Sequence, residues 1–320
     1  MTAATRPLKI GTRSSALALA QAHTVQAELL AIGVSSELVT YTTVGDRRLD
    51  VALTAIGSKG LFTEELERDL RTGVTDLCVH SLKDLPTDEP DGLTVLAQLP
   101  REDSRDALVV RDDVPGSLLH ELPQGAIIGT SSLRRRAQLK ALRPDCTVVD
   151  LRGNVGTRLS KLDNGLCHAA ILAAAGLNRL GLTSRIRSFL SAPEWLSAAG
   201  QGAIAIQVRV DDAEVSAIVQ RLNHQPTMDA TNCERAFLAA LDGGCQVPIG
   251  ALMTESDGGR RTLHGLVAGL DGTPMLRAST VVGDDIIASA ETLAGELRAA
   301  GAATILAEAR AVGAAAREAS

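Results

Sequence analysis

The chain has 320 residues, a net charge of −6 and a hydrophobic fraction of 45%, enough apolar surface for two or three packed domains. Its charged fraction of 22% is ordinary for a globular protein and excludes wholesale disorder. Only Tyr41, Phe62, Phe189, Trp195 and Phe237 are aromatic, so stacking platforms for single strands are scarce, and the acidic balance speaks against a surface that grips nucleic acid.

Leu8–Ile10 reads as a strand that runs into a helix near Ser15–Ile32, and Ser36–Thr43 reads as the next strand. A helix near Thr63–Thr72 leads to a strand at Thr75–His80. The rhythm returns with strand Ala126–Gly129, helix Ser132–Leu142, strand Thr147–Leu151, helix Thr157–Leu162 and strand Ala169–Ala173. Such alternation predicts open α/β sheets with mainly parallel strands. Polar segments at Pro100–Asp106 and Ser191–Gly202 read as hinges. Beyond Leu222 the pattern changes: a helix at Thr227–Leu241 runs into GGCQVPIG at 243–250. Strands at Ile249–Thr254, Thr262–Leu270 and Met275–Val282 follow, then two alanine-rich helices. The domains expected are residues 1–100 with 201–221 as one α/β lobe, 104–196 as a second, and 222–320 as a smaller C-terminal α+β domain.

The longest apolar run, around His168–Leu177, is far short of the roughly 20 residues that cross a bilayer, and the first ten residues hold no signal-like apolar core. Cys78, Cys146, Cys167, Cys233 and Cys245 include no C-x-x-C pair, and the six histidines lack ligand spacing. A reduced, cytoplasmic, metal-free protein is expected.

Ile10-Gly11-Thr12-Arg13-Ser14-Ser15 and Ile128-Gly129-Thr130-Ser131-Ser132 both follow a strand and open a helix. Free N–H groups, the helix dipole and hydroxyls make such turns anion sites, although plain N-capping uses the same residues. Between Ala126 and Gly165 eight basic residues face three acids, a local +5 in an acidic chain. Arg134, Arg135, Arg152 and Arg158 fall near strand-to-helix turns, where open α/β sheets bind ligands, and the guanidinium fork suits carboxylate or phosphate. Lys140, Arg143 and Arg136 read as a solvated helix face. In VHSLKDLP at 79–86, Lys83 stands beside Asp84 after a strand. An aspartate near cations stays ionised and can stabilise a positive charge or exchange a proton, or simply serve the turn before a proline. Cys245 sits between glycines and a proline with room around its sulfur, which suits covalent attachment or an ordinary loop cysteine.

Taken together, GTRSSALALAQAH at 11–23, GSKGLFTEELE at 57–67, VHSLKDLP at 79–86, REDSRDA at 101–107, GTSSLRRRAQL at 129–139, LRGNVGTRLSKLD at 151–163, AGLNRLG at 175–181, GQGA at 200–203 and ERAFL…GGCQVPIG at 234–250 closely resemble the hydroxymethylbilane synthase, or porphobilinogen deaminase, family. The resemblance implies two lobes like those of periplasmic binding proteins and a smaller α+β domain carrying the cysteine. It implies porphobilinogen as substrate and a dipyrromethane cofactor held by a thioether at Cys245; the acidic surface predicts a monomer, and charge and run length predict no nucleic-acid or membrane partner. The family joins four porphobilinogen molecules head to tail with loss of ammonia, and water then releases hydroxymethylbilane. Arg134, Arg135, Arg158 and Lys83, with Ser81, Thr130 and Ser132, match its cofactor-holding set. Arg13, Ser15, Arg152 and Arg179 match its substrate-side set, joined by Lys59. Asp84 matches its catalytic aspartate. One departure is Ala55, where many members carry lysine; either that carboxylate contact is missing or Arg47 or Arg48 supplies it, and loop 43–60 is expected to act as a mobile lid. A non-catalytic anion receptor of the same architecture explains the arginines equally well, but neither Asp84 in its motif nor Cys245 in its glycine loop.

Overall fold

The computed structural model describes residues 6–43, 63–243 and 247–318. The chain starts in one α/β unit with β1 (Leu8–Arg13), α1 (Ala16–Ala31), β2 (Ser36–Tyr41), α2 (Glu64–Arg71), β3 (Leu77–Ser81) and β4 (Leu93–Gln98). It crosses into a second unit with β5 (Asp106–Val110), β6 (Ile127–Gly129), α3 (Leu133–Leu142), β7 (Thr147–Val149), α4 (Val155–Asp163), β8 (Ala169–Ala173), α5 (Ala174–Arg179) and β9 (Ser188–Leu190). It then returns to the first with β10 (Ile204–Arg209) and α6 (Ala213–Val219). The two five-stranded sheets have matching orders, β2–β1–β3–β10–β4 and β7–β6–β8–β5–β9. This is the two-lobed arrangement expected from the sequence, and the Ile-Gly-Thr turns occupy equivalent places in it.

The expectation of mainly parallel strands holds, with one antiparallel strand in each sheet. β10 runs antiparallel to β3 and β4, and β5 runs antiparallel to β8 and β9. The reason is the crossing. β10 opens with Ile204 opposite Ser81, the last residue of β3, and β5 opens with Asp106 opposite Ala173, the last residue of β8. A strand that arrives from the neighbouring lobe starts at the edge where the other strands end, so it must run the opposite way. Both sheets therefore turn their C-terminal strand ends toward the crossings, the edge at which open α/β sheets bind ligands.

Each sheet is covered on both faces, as sheets of this class require. In the second lobe, Leu108 and Val110 pack with Ile128 and Ile171, while Ala107 and Val109 pack with Leu151, Leu162 and Leu172 on the opposite face. Serine caps start the helices at the cleft edge: Ser15 accepts from the Ala18 amide and Ser132 from the Arg135 amide. The third unit begins with α7 (Gln225–Ala240), continues through the antiparallel meander β11 (Ile249–Glu255), β12 (Arg261–Ala268) and β13 (Met275–Val281), and ends with α8 (Ile286–Ala299) and α9 (Ala302–Glu318). Phe237, Leu263, Val267, Leu293 and Leu306 form its core. No helix among the described residues is long and apolar enough to cross a membrane.

One buried carboxylate joins all three units. Glu234 on α7 accepts both Arg101 nitrogens (2.7 and 2.9 Å), the Gly200 amide (2.8 Å) and the Met253 amide (2.9 Å). Those partners belong to the two hinges and to β11. Removing one member of such a pair strands the other charge in a low-dielectric setting. Glu234→Ala should therefore lower unfolding free energy by about 3–5 kcal/mol, and Glu234→Gln by less. Denaturant titration reads the change, and a loss under about 1 kcal/mol for the alanine variant would contradict this role.

Candidate active site

The C-terminal end of β1 presents Arg13, the start of α1 presents Ser15, and the end of β3 presents Ser81. With Gln21, His80 and Asp84 these residues line a solvent-open pocket with about 420 Å3 of empty space. Gln21 is buried on α1 and exchanges hydrogen bonds with Ser81 at 2.8 and 3.2 Å, which fixes that hydroxyl at the pocket wall. After Ser81 the chain makes one 3-10 turn, Leu82–Asp84, that buries Leu82 beneath it and leaves Asp84 exposed. Adjacent strand residues would face opposite ways. The turn instead leaves Asp84 lining the pocket while Lys83 reaches Gln201. Burial, with the charge of Arg13 nearby, pushes the His80 imidazole down to about 4, so His80 is neutral at ordinary pH.

The second lobe supplies the cations. Arg134 and Arg135 lie in the first turn of α3, both buried. Arg134 Nη1 donates to Asp106 Oδ2 (2.7 Å) and to the Leu196 carbonyl (2.6 Å). Arg135 Nη2 donates to Asp106 Oδ1 (2.7 Å), and its Nη1 to the Ile171 carbonyl (2.9 Å). Trp195 Nε1 and Gln201 Nε2 complete four donors on that carboxylate, each at 2.8 Å. Burial alone would raise the Asp106 carboxyl, but the two guanidiniums hold it well below the usual carboxylate range. Thr130 accepts from the Ser132 amide at 3.2 Å. Arg158 donates Nε to the Gly153 carbonyl (2.7 Å), and Arg179 donates Nη2 to the Gly202 carbonyl (2.7 Å).

Charge converges from both lobes. Burial, reinforced by Arg135, pushes Arg158 down to about 10, and Asp84 opposes that shift. Burial likewise pushes the half-buried Lys83 ammonium down to about 8, again opposed by Asp84 and assisted by Arg135. Asp84 of the first lobe thus acts electrostatically on Arg158 of the second. Lys83 Nζ also donates to Gln201 Oε1 at 3.2 Å. Arg135 Nε and Arg152 Nη1 are buried without a hydrogen-bond partner among the described residues. Buried donors left open in this way fit a ligand that brings several carboxylates, and in this respect the residues present fit a dipyrromethane bearing acetate and propionate groups.

Cys245, Lys59, Ala55, Arg47, Arg48 and nearly all of loop 43–60 lie outside the described residues. Cys78, Cys146, Cys167 and Cys233 are buried and unpaired, as small core residues. Residue spacing did not single out Asp106, Gln201, Gln21 or Glu234. Each lies inside a motif segment already noted; for Asp106 and Gln201 the available signal was a lone acid or amide beside an arginine or between glycines in a polar hinge, whereas Gln21 and Glu234 lie inside helices and carry no such signal.

Residues 8–217 match the family model described as porphobilinogen deaminase, dipyromethane cofactor binding domain, and residues 229–300 match its C-terminal domain. The chain is 50% identical over 274 residues to a porphobilinogen deaminase of Synechococcus elongatus, covering 85% of each chain. It is 50% identical over 276 residues to one of Gloeobacter violaceus, covering 85% of this chain and 84% of the relative. Among solved structures, the periplasmic VFT2 domain of Bordetella pertussis BvgS matches with a TM-score of 0.41 at 17% identity, over 72% of this chain and 90% of that one.

Asp106 has the clearest titration signature. Its folded carboxyl lies below the unfolded value of about 4, so its contribution is full above that pH and drains away as pH falls. Asp106→Asn should destabilise the protein at pH 7. It should also flatten the acid limb of stability against pH by up to about 1.4 kcal/mol per pH unit below pH 4. Identical acid limbs in the two proteins, followed by denaturant titration, would contradict the assignment.

Proposed function

The chain belongs to the porphobilinogen deaminase family, and on that premise we propose a division of labour in which Asp84 is the catalytic carboxylate and the surrounding cations hold acidic pyrroles. The enzyme polymerises porphobilinogen for tetrapyrrole synthesis: four molecules are joined head to tail with loss of ammonia, and water releases hydroxymethylbilane. A dipyrromethane serves as its cofactor and, when bound, supplies the pyrrole carbon on which chain growth starts. We assign its thioether to Cys245.

Lys83, Arg134, Arg135 and Arg158, with Ser81, Thr130 and Ser132, are assigned to the cofactor's carboxylates. The open Nε of Arg135 supports this. Arg134, whose Nη1 is committed to Asp106 and Leu196, adds charge rather than that donor. Arg13, Ser15, Arg152, Arg179 and Lys59 are assigned to the acetate and propionate of the incoming substrate. Arg13 and Ser15 share the pocket with Asp84, which favours this split.

The observation that carries the reading is the placement of Asp84: exposed at the pocket, beside Lys83, and within electrostatic reach of Arg158 from the other lobe. A fixed carboxylate there accepts pyrrole N–H bonds and stabilises the positive charge that develops as the substrate's amine departs. It also stands ready to take the proton released when the new carbon–carbon bond forms. The cations around it bind carboxylates that do not change charge during the reaction, so they orient the rings instead of driving the bond-making step.

We assign residues 1–100 with 201–221, 104–196 and 222–320 to the three domains, which the membership of the three sheets supports. We also propose a cytoplasmic monomer with no nucleic-acid or membrane partner. Buried unpaired cysteines suit a reducing compartment, and a net charge of −6 suits a small-molecule enzyme better than a polyanion binder.

Asp84→Asn and Asp84→Ala should lower turnover by about 10²–10⁴-fold, while the melting temperature stays at the wild-type value. Steady-state assay with porphobilinogen and a thermal melt provide both readings. Wild-type turnover in either variant would refute the catalytic assignment.

A further inference from the structure

We propose that Gln201 is a positioning residue that holds the Lys83 ammonium at the crossing between the lobes, an assignment that rests on the reading of Lys83 given above. Gln201 is buried in the second hinge. Its neighbours leave it almost no freedom. Gly200 and Gly202 have φ of +70° and +90°, and a Cβ would come within 2.9 Å of the Leu82 side chain at the first and 2.3 Å of the Glu102 carbonyl at the second. The Gly200 amide is held by Glu234 (2.8 Å), Arg101 Nε donates to the Gln201 carbonyl (2.9 Å), and the Gly202 carbonyl takes the Glu102 amide (3.1 Å). Only position 201 of the three can carry a side chain without strain.

That side chain is used at both ends. Nε2 donates to the Ser104 carbonyl (2.8 Å) and to Asp106 Oδ1 (2.8 Å), and Oε1 accepts from Lys83 Nζ (3.2 Å). The amide cannot be turned round, because a carbonyl and a carboxylate only accept and an ammonium only donates. The order of constraint therefore runs from lobe two to lobe one: Arg134, Arg135 and Trp195 fix Asp106, Asp106 orients Gln201, and Gln201 seats Lys83.

The consequence concerns Asp84. Among the described residues, Asp84 and Asp106 attract Lys83, and Arg135 and Arg134 repel it. Without the amide acceptor the ammonium is driven from the arginines toward Asp84, its sequence neighbour. A close pair of that kind takes the lysine away from ligand carboxylates and masks the aspartate that stabilises the reacting cation.

The test is a double-mutant cycle on the cofactor-loaded enzyme, with cofactor content checked by intact mass and folding by thermal melt. Gln201→Met keeps length and removes both polar ends. It should lower kcat/KM by about tenfold or more in the wild-type background and change it little in a Lys83→Met background. Equal losses in both backgrounds, accompanied by a fallen melting temperature, would mean a structural residue and overturn the proposal. Should Gln201→Met fail to fold, Gln201→Asn replaces it: the shorter amide keeps a donor for the Asp106 side and ends short of Lys83, so kcat/KM should again fall in the wild-type background and change little with Lys83→Met, and equal losses in both backgrounds overturn the proposal. A Lys83→Met enzyme with unimpaired kcat/KM would instead bring down the reading of Lys83 on which the proposal stands.

Discussion

The Asp106 carboxylate, buried between two guanidiniums, is the constraint on which the cleft depends. One buried anion facing two buried cations leaves an excess of positive charge inside the protein, and desolvated charge is costly unless compensated. Lys83 and Arg158 add to that excess, and burial already pulls both toward neutrality. Carboxylates carried in by a ligand remove the imbalance. On the site assignment proposed above, a polycarboxylate chain of pyrroles meets a site whose charges are not balanced within the protein, and Arg135 Nε and Arg152 Nη1 are donors left without a partner there.

The crossings make this arrangement geometrically possible. Because β5 and β10 each begin at the cleft edge, the residues that precede them, 99–105 and 191–203, lie where both sheets end. Asp106 and Gln201 sit at those two starts, so lobe-to-lobe contacts and ligand-facing residues share the same few ångströms. The third unit is tied to this point through α7. Glu234 holds both hinges, and its neighbour Arg235 donates to the Leu85 (3.3 Å) and Pro86 (2.6 Å) carbonyls that follow Asp84. The same helix leads directly into the segment that contains Cys245, so the helix that precedes the cysteine also braces the chain just beyond the Lys83–Asp84 turn.

Much of this was legible in the sequence. The alternation of β-branched and helical runs marked β1, β2, β3, β6, β7 and β8 and the helices between them, and the two hydroxyl-rich turns marked equivalent positions in the lobes. The strands that went unread were β4, β5, β9 and β10, which flank the hinges. β5 begins with an aspartate and is buried along its whole length, so it lacks the period-2 alternation of a half-exposed strand and merges with the polar run before it. The arginines were legible as anion binders but not in their division of labour. Arg134 and Arg135 spend their first hydrogen bonds on an aspartate 28 and 29 residues away, a partner that local spacing does not reveal. Asp84 and Lys83 were read correctly as neighbours on a turn, whereas the amide that holds Lys83 comes from 118 residues downstream.

On the site assignment proposed above, this positively charged cleft is completed by a dipyrromethane bound to the chain. The most direct measurement is the intact mass of the purified protein with peptide mapping of Cys245. An excess equal to two porphobilinogen units less their ammonia, localised to Cys245 and absent in Cys245→Ser, is the predicted result. An unmodified Cys245 in protein that porphobilinogen cannot charge would show that no dipyrromethane completes the cleft.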